Sequence, residues 1–199
     1  TLIRDTIRNH KRLIFNGNNY APEWTQEAQR RGLINWPSAA DALPHLCDEK
    51  NVALFERHGV FTPAELKSRQ EIYLDNYVKV INIEALTMLD MVSRDILPGI
   101  LNYSAKLGSD AQIKNSIGVD SALETGLCRQ LSLLARQVQD GAQALRQALD
   151  QSHTARQYRD NVCPAMDVLR QAVDSAEPLV PTKLWPYPNY GSLLFSVRE

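Results

Sequence analysis

One long helix constrains the fold of this 199-residue chain more than any other feature. The stretch Thr62-Pro63-Ala64-Glu65 has the features of a helix start, with an N-cap threonine, a proline at the first helical position and a glutamate that completes a capping box. From there a 3.6-residue pattern runs unbroken to about Leu97. Its polar stripe is narrow (Asp75, Asn76, Lys79, Asn82, Asp90 and Arg94), and most other positions are apolar, including Tyr73, Leu74, Tyr77, Ile81, Met88, Leu89 and Val92. A helix of this kind is buried between neighbours, so we predict that it forms the centre of a bundle.

A second helical pattern follows the long helix. Asp120 is a candidate cap, and apolar residues then recur at steps of three and four: Leu127, Leu131, Leu134, Val138, Ala142, Leu145 and Leu149. Ser152-His153-Thr154 marks a reversal, after which the return helix presents Tyr158, Val162, Met166, Leu169 and Val173, with Pro164 expected to bend it. The spacing predicts a long antiparallel helical hairpin.

The connections are less regular. Pro98-Gly99 predicts a kink rather than a stop, and residues 108–119 read as a loop or a frayed helix. Only 9 glycines occur in the chain, and alternating β-branched runs are few. We therefore predict an all-α fold, a helical bundle built around one long central helix plus a long antiparallel helical hairpin.

The C-terminal tail, "PLVPTKLWPYPNYGSLLFSVRE", is rich in proline and aromatic residues. Prolines at 181, 186 and 188 disfavour a helix, so we predict an irregular tail. Its apolar content exceeds that of a disordered terminus, and we expect it to pack against the bundle or against another part of a longer protein, with Trp185 as its anchor.

The stretch "HKRLIFNGNNYAPEW", residues 10–24, poses a choice between a phosphate-binding loop and a chain reversal. A Walker-type loop needs several glycines followed by lysine, whereas Lys11 precedes the lone Gly17. The sequence favours a turn in which Asn16–Asn19 supply left-handed residues, with phosphate capture by Lys11 or Arg12 as the minor alternative. Short helices then follow, from Pro22 to a stop at Gly32, after Ser38, and from Asp48 to His58-Gly59.

Charge and cysteine content narrow the range of functions. Basic and acidic residues number 22 and 23, for a formal charge of -1, so the chain has no general attraction for nucleic acid or anionic membranes. No apolar run is long enough to span a membrane. The three cysteines, Cys47, Cys128 and Cys163, are scattered among apolar helical positions, which indicates small core residues in a reducing compartment.

We identify no catalytic, cofactor-binding or metal-binding residue in the chain. His45 and Cys47 lie two apart on a helix and point to different sides, which disfavours a zinc site with His58. Glu84 and Glu124 lack the histidine three residues later that di-iron bundles require. Glu84 is nevertheless unusual, because the pattern places it among apolar residues. It is expected to pair with an arginine from a neighbouring helix, with a catalytic role as the alternative.

Several stretches together resemble one family. They are "IRDTIRNHKRLIFNGNNY", "EWTQEAQRRGLINW", "DALPHL", "NVALFERHGVFTPAELKSRQEIYLDNY", "INIEALTMLDMVSRDILP", "YRDNV" and "WPYPNYGSLLFSV". In this order they resemble the C-terminal region of type III glutamine synthetase. The resemblance spans essentially the whole chain, and between about Ala105 and Thr154 it consists of hydrophobic spacing alone.

The resemblance implies a cytoplasmic ligase of nitrogen metabolism that joins ammonia to glutamate with ATP and Mg²⁺ or Mn²⁺, and that assembles as dodecamers of two hexameric rings. Its catalytic glutamates and arginines would lie upstream of Thr1, so this chain alone is expected to be inactive. Residues 1–60 would then link the upstream catalytic domain to a bundle formed by residues 61–199. The 10–24 stretch would be the joint between the two parts.

The chain lacks an initiator methionine and begins inside an amphipathic pattern. We expect a piece of a longer protein, with a processed mature protein as the alternative. A self-standing, non-enzymatic helical interaction module, such as a scaffold or regulator, is the competing hypothesis for its function.

Overall fold

The computed structural model of the chain describes residues 1–195, and for Tyr190 only the backbone. Within these residues the fold is all-α, without a strand, as predicted. The helices are α1 (Leu2–Asn9), α2 (Pro22–Arg30), α3 (Ala39–Ala42), α4 (Glu49–Arg57), α5 (Pro63–Met91), α6 (Leu97–Ser116), α7 (Ala122–Gln151), α8 (Ala155–Gln157), α9 (Cys163–Ala176) and α10 (Tyr190–Phe195). Short 3-10 turns occupy Lys11–Leu13, Leu43–Cys47 and Glu177–Leu179.

The long helix begins at the predicted capping box. The Thr62 hydroxyl accepts a hydrogen bond from the Glu65 backbone N–H at 3.3 Å, and the Glu65 carboxylate accepts one from the Thr62 backbone N–H at 2.7 Å. The helix then continues for 54 residues, because the π-helical turn Val92–Ile96 joins α5 to α6 without a break. It is therefore longer than the sequence predicted.

Near Pro98 and Pro164, where bends were predicted, the structure has π-helical turns. Each proline is the second residue after such a turn, Val92–Ile96 in the first case and Tyr158–Val162 in the second. A proline ring clashes with the carbonyl four residues earlier and has no N–H to donate to it. The wider π turn relieves this conflict, so the helix continues past both prolines.

The expectation of a loop or frayed helix over residues 108–119 was wrong. The helix α6 extends to Ser116, and the chain reverses at Gly118, whose φ of 74° places it in the left-handed region. Packing explains the difference, since a Cβ at Gly108 would lie 3.7 Å from the Cys128 sulfur on α7. This distance is an ordinary van der Waals contact, so the packing of α7 along α6 keeps this stretch helical despite the low helix propensity of glycine.

The predicted hairpin forms the core of the bundle. The helix α7 packs along α6 on one side and along α9 on the other. Ser121 is its N-cap residue, while the neighbouring Asp120 carboxylate accepts a hydrogen bond from the Ala122 N–H at 3.2 Å. The buried side chains on both arms match the predicted pattern and include Leu131, Val138, Leu145, Tyr158, Val162 and Leu169.

The central helix is less buried than the sequence predicted. Only Leu66, Ala85 and Leu89 are buried on α5. Five large apolar side chains remain exposed on it: Ile72, Tyr73, Val80, Ile83 and Leu86. The reason is that α3, the Leu43–Cys47 turn and the α7–α9 hairpin all contact α5, yet together they cover only part of its circumference.

The Asn-Gly turn also differs from the prediction. No non-glycine residue in the described chain has a positive φ, and Gly17 has none either. Instead, the Asn18 side chain accepts a hydrogen bond from the Tyr20 N–H at 3.0 Å and turns the chain locally. A Cβ at Gly17 would lie 2.6 Å from the tip of the Phe15 ring, so a side chain at this position would require that ring to move.

The tail packs on the bundle before it turns outward. Trp185 and Tyr187 lie against the core as partly buried residues. The prediction of an irregular tail holds only up to Asn189, since the short helix α10 begins after Pro188, the last proline. Leu193, Leu194 and Phe195 are exposed on α10. The predicted tail also included Ser196–Glu199 and the side chain of Tyr190, which lie outside the described residues.

Candidate functional site

A large candidate binding site in the described part of the chain is a groove between α5, α9 and the tail. Its cavity has a volume of about 740 Å³ and is mainly apolar. This size is within the range of ligand-binding clefts in proteins. The apolar side chains that line it are Ile83, Met88, Met91, Val92, Ile96, Met166, Leu169, Val173, Trp185, Tyr187, Pro188 and Leu193.

All three methionines of the chain line this groove. Met88 and Met91 come from the long helix, and Met166 comes from α9. Methionine side chains are unbranched and polarizable, so a surface rich in them adapts its shape to an apolar partner. We call this cavity the methionine groove.

Charged residues occupy the polar part of the groove. Arg170 and Asp174 form an ion pair, in which the Arg170 Nε lies 3.0 Å from both carboxylate oxygens. Glu84 and Glu177 add two further carboxylates. The acidic groups therefore outnumber the basic one.

The prediction that Glu84 is buried and paired with an arginine was wrong. Its side chain is exposed, and its carboxylate forms no ion pair or hydrogen bond within the described chain. The helical pattern gave the correct apolar surroundings, but the groove leaves this part of α5 open to solvent. Hydration therefore replaces the pairing that burial would have required.

A hydrogen bond holds the tail at the end of the groove. The Tyr187 hydroxyl donates to the Asp95 carboxylate at 2.8 Å, which joins the tail to the π turn of the long helix. Burial of the phenol and this hydrogen bond raise the pKa of Tyr187 to about 12, because the charged phenolate would be poorly solvated and would repel the carboxylate.

A smaller cavity of about 430 Å³ lies near α3 and the start of α8. The Trp36 and His45 rings stack there with their centroids 3.8 Å apart, and the His45 Nδ1 lies 3.0 Å from a carboxylate oxygen of Asp48. These contacts give His45 a structural role in the turn before α4. Within residues 1–195, His45, Cys47 and His58 do not form a cluster that could hold a metal ion.

The cysteines are free and half-buried. The Cys128 thiol donates to the Ser104 carbonyl at 3.3 Å across α6 and α7, and the Cys163 sulfur lies 3.8 Å from the Tyr77 hydroxyl. Burial and the contact with Cys163 raise the pKa of Tyr77 to about 12. All three cysteines were predicted to be small core residues; among the described residues Cys128 packs against the core of the bundle, Cys47 and Cys163 do not belong to that cluster, and none of the three is fully buried.

Lys11 and Arg12 lie in an exposed 3-10 turn. Arg31 fixes the backbone of this turn, since its guanidinium donates to the carbonyl of Arg12 at 2.6 Å and to that of Ile14 at 3.0 Å. The cationic side chains of Lys11 and Arg12 are exposed to solvent on a turn whose backbone is held by these hydrogen bonds.

Sequence reasoning did not find the methionine groove. Its lining comes from three segments far apart in the chain, and their alignment depends on how α9 and the tail lie along α5. The available signal was that the only three methionines fall on two helices predicted to be neighbours. The groove offers thioethers, aromatic rings and carboxylates, a set suited to binding an apolar and partly cationic group.

The fold and its groove define a class: an all-helical bundle with a large apolar groove and without an evident catalytic constellation in its described residues. The model of the glutamine synthetase C-terminal domain family matches residues 1–115, more than half of the chain. The chain belongs to this family. The resemblance drawn from the sequence is thereby confirmed.

Three curated relatives match almost the whole chain. A glutamine synthetase of Butyrivibrio fibrisolvens is 39% identical over 99% of this chain and 29% of its own length. The type-3 glutamine synthetase of Dictyostelium discoideum is 32% identical over 98% of this chain and 28% of its own length. A glutamine synthetase of Bacteroides fragilis is 26% identical over 98% of this chain and 28% of its own length. The chain therefore spans less than a third of each of these relatives.

Of the helices in residues 1–195, none combines the length and the apolar character that crossing a bilayer would require.

Proposed function

We propose that this chain is the C-terminal helical portion of a glutamine synthetase that ligates ammonia to glutamate at the expense of ATP. The match of nearly the whole chain to less than a third of three glutamine synthetases carries this proposal. The chain itself has a structural and assembly role, and the groups that bind ATP and Mg²⁺ or Mn²⁺ belong to the upstream part of the parent protein.

The chain divides, in this proposal, into a linking segment of residues 1–60 and a bundle of residues 61–199. Burial supports the division, because Ala28 and Ala40 are the only buried residues described in the first 60 positions. The largest fully buried side chains, such as Leu66, Ile100 and Leu131, all belong to the second part. The partners are the upstream catalytic domain and further copies of the parent in a cytoplasmic homo-oligomer.

The test is to express the complete reading frame and the 199-residue chain side by side. With ATP, Mg²⁺, glutamate and ammonia, the parent should form glutamine, and reactions without ATP or without ammonia serve as controls. The 199-residue chain should form none, because acyl-phosphate chemistry needs clustered carboxylates and cations to stabilise the developing charge. Glutamine formation by the short chain, or its absence with a folded parent, would overturn the proposal.

The methionine groove favours one alternative, a self-standing helical interaction module. Adaptable, methionine-rich grooves typically bind amphipathic partner helices. The gene sequence before Thr1 separates the two functions. A long upstream segment rich in predicted strands and glutamates would support the ligase. An initiator codon just before Thr1 would support the self-standing interaction module.

A further inference from the structure

The N-terminal segment exposes large apolar side chains to an unusual degree. Leu2 is 83% exposed, Ile3 is 75% exposed and Tyr20 is 98% exposed. No residue of α1 is buried. Single exposed apolar residues are common on protein surfaces, but a concentration of them on one short segment indicates an interaction site.

The helix α1 is amphipathic. Ile3 and Ile7 are four residues apart and so lie on one face, while Arg4 and Arg8 are also four apart and flank that face. An isolated helix of 8 residues is marginal in water, because too few hydrogen bonds repay its nucleation. An apolar face that packs against a partner would supply the missing stability.

Polar contacts hold the following turn in a fixed shape. Glu27 pairs with Arg31, and the Arg31 guanidinium binds the carbonyls of Arg12 and Ile14. The Phe15 and Trp24 rings pack with their centroids 4.9 Å apart. These contacts fix the turn, yet Leu13 and Tyr20 stay in solvent.

We propose that this surface docks against the part of the same polypeptide that precedes Thr1. We call it the N-terminal surface and define it by Leu2, Ile3, Ile7, Leu13 and Tyr20. The inference rests on the proposed function, and the length of chain outside the structure supports it, since more than two thirds of each relative lies beyond the matched part. Because Arg4 and Arg8 flank the apolar face, we expect the docked part of the polypeptide to present an apolar patch bordered by carboxylates, which would complement their charge.

Hydrogen–deuterium exchange of the parent protein and of the 199-residue chain tests the docking. Amides of α1 should exchange about tenfold or more slowly in the parent, because docking raises the free energy of local opening. Ile7→Asp in the parent should abolish this difference. Asp5→Asn also changes the charge of α1 by one unit, but on the face opposite Ile3 and Ile7, and should preserve the difference. Unchanged exchange in α7 verifies that each variant is folded.

The outcomes separate the docking from its alternatives. Equal exchange of α1 in the parent and in the short chain would overturn the proposal. Protection of α1 that appears in the 199-residue chain and grows with its concentration, accompanied by dimers of that chain in sedimentation velocity, would assign the surface to a second copy and also overturn it. Glutamine formation by the wild-type parent is measured in parallel. An inactive parent in which α1 is protected would contradict the proposed function but not the docking. An active parent in which α1 is unprotected would contradict the docking but not the proposed function.

Discussion

At the scale of single residues, two glycines of α7 differ in their surroundings. Gly126 has no neighbouring atom within 4 Å of the position that a Cβ would take. At Gly141 the same Cβ would lie 3.3 Å from the Cα of Leu169, a backbone atom of the facing helix α9. The first glycine is therefore replaceable, whereas the second permits the close packing of α7 against α9.

We predict opposite effects for alanine at these two positions. Gly126→Ala should raise the free energy of unfolding by about 0.5–1 kcal/mol, because alanine loses less conformational entropy in a helix. Gly141→Ala should lower it by about 1 kcal/mol or more, since overpacking against a helix backbone exceeds that gain. Urea denaturation of both variants measures the difference. Equal stabilisation by the two substitutions would show that the helices can move apart freely.

Tyr187 gives a prediction on pH. Its neutral phenol is favoured in the folded protein, and its pKa is raised from 10.0 to about 12. The folded state therefore retains a proton that the unfolded state loses above pH 10, so the contribution of this contact is complete below pH 10 and disappears as the pH rises through about 12. In an ultraviolet absorbance titration, the wild type should gain the absorbance of one phenolate near pH 12, and Tyr187→Phe should lack this step. Asp95→Asn should lower that pKa, because the amide carries no charge; an unchanged pKa would assign the whole shift to burial.

At the scale of elements, the long helix has a packed face and an open face. Leu89 is 5% exposed, whereas Leu86, three residues earlier on α5, is 52% exposed. Met88 was predicted to be a core residue together with Leu89, but it is only partly buried because it lines the methionine groove. The two leucines have the same side chain, so they separate the effect of burial from that of chemistry.

We predict that Leu89→Ala lowers the free energy of unfolding by about 2–5 kcal/mol, as expected for a leucine removed from a packed core. Leu86→Ala should cost less than about 1 kcal/mol, the usual range for surface positions. Chemical denaturation at constant pH measures both values. A small loss at Leu89, or a large one at Leu86, would mean that the packed face of α5 is assigned to the wrong side.

At the scale of the whole molecule, the tail connects parts that are distant in the chain. It crosses the start of α6, where a Cβ at Gly99 would lie 3.2 Å from the Leu184 carbonyl oxygen. It also reaches the long helix through Tyr187 and lines the methionine groove with Trp185. The tail therefore covers apolar surface that the bundle alone would expose.

Deleting Leu184–Glu199 should lower the melting temperature by about 4–8 °C, which corresponds to about 2 kcal/mol in a chain of this size, or should cause aggregation through the uncovered surface. Trp185→Ala should reproduce part of this loss, about 1 kcal/mol, because Trp185 is partly buried and full burial of a large apolar side chain contributes about 1.5–3 kcal/mol. Leu194→Ala, at a site that is 74% exposed, is the control. Unchanged melting and solubility after the deletion would show that the tail contributes nothing to the bundle.

The sequence by itself determined the features that depend on local physics. The capping box at Thr62, the stops at Gly32 and Gly59, and the seam from Leu127 to Leu149 were all predicted, because capping, left-handed glycines and 3.6-residue periodicity act within a few turns of helix. The family could likewise be identified from the sequence alone, because the resemblance depends on the quoted stretches and on their order along the chain.

The tertiary structure alone decided the features that depend on neighbours. The helix continues through Gly108 because α7 packs against α6, and Glu84 is exposed because the described elements that contact α5 leave that side open. The methionine groove exists because residues of α9, the tail and the long helix are brought together to line one cavity. A hydrophobic pattern shows that a face needs burial, but it does not identify the element that covers it, since burial depends on contacts between residues far apart in the chain.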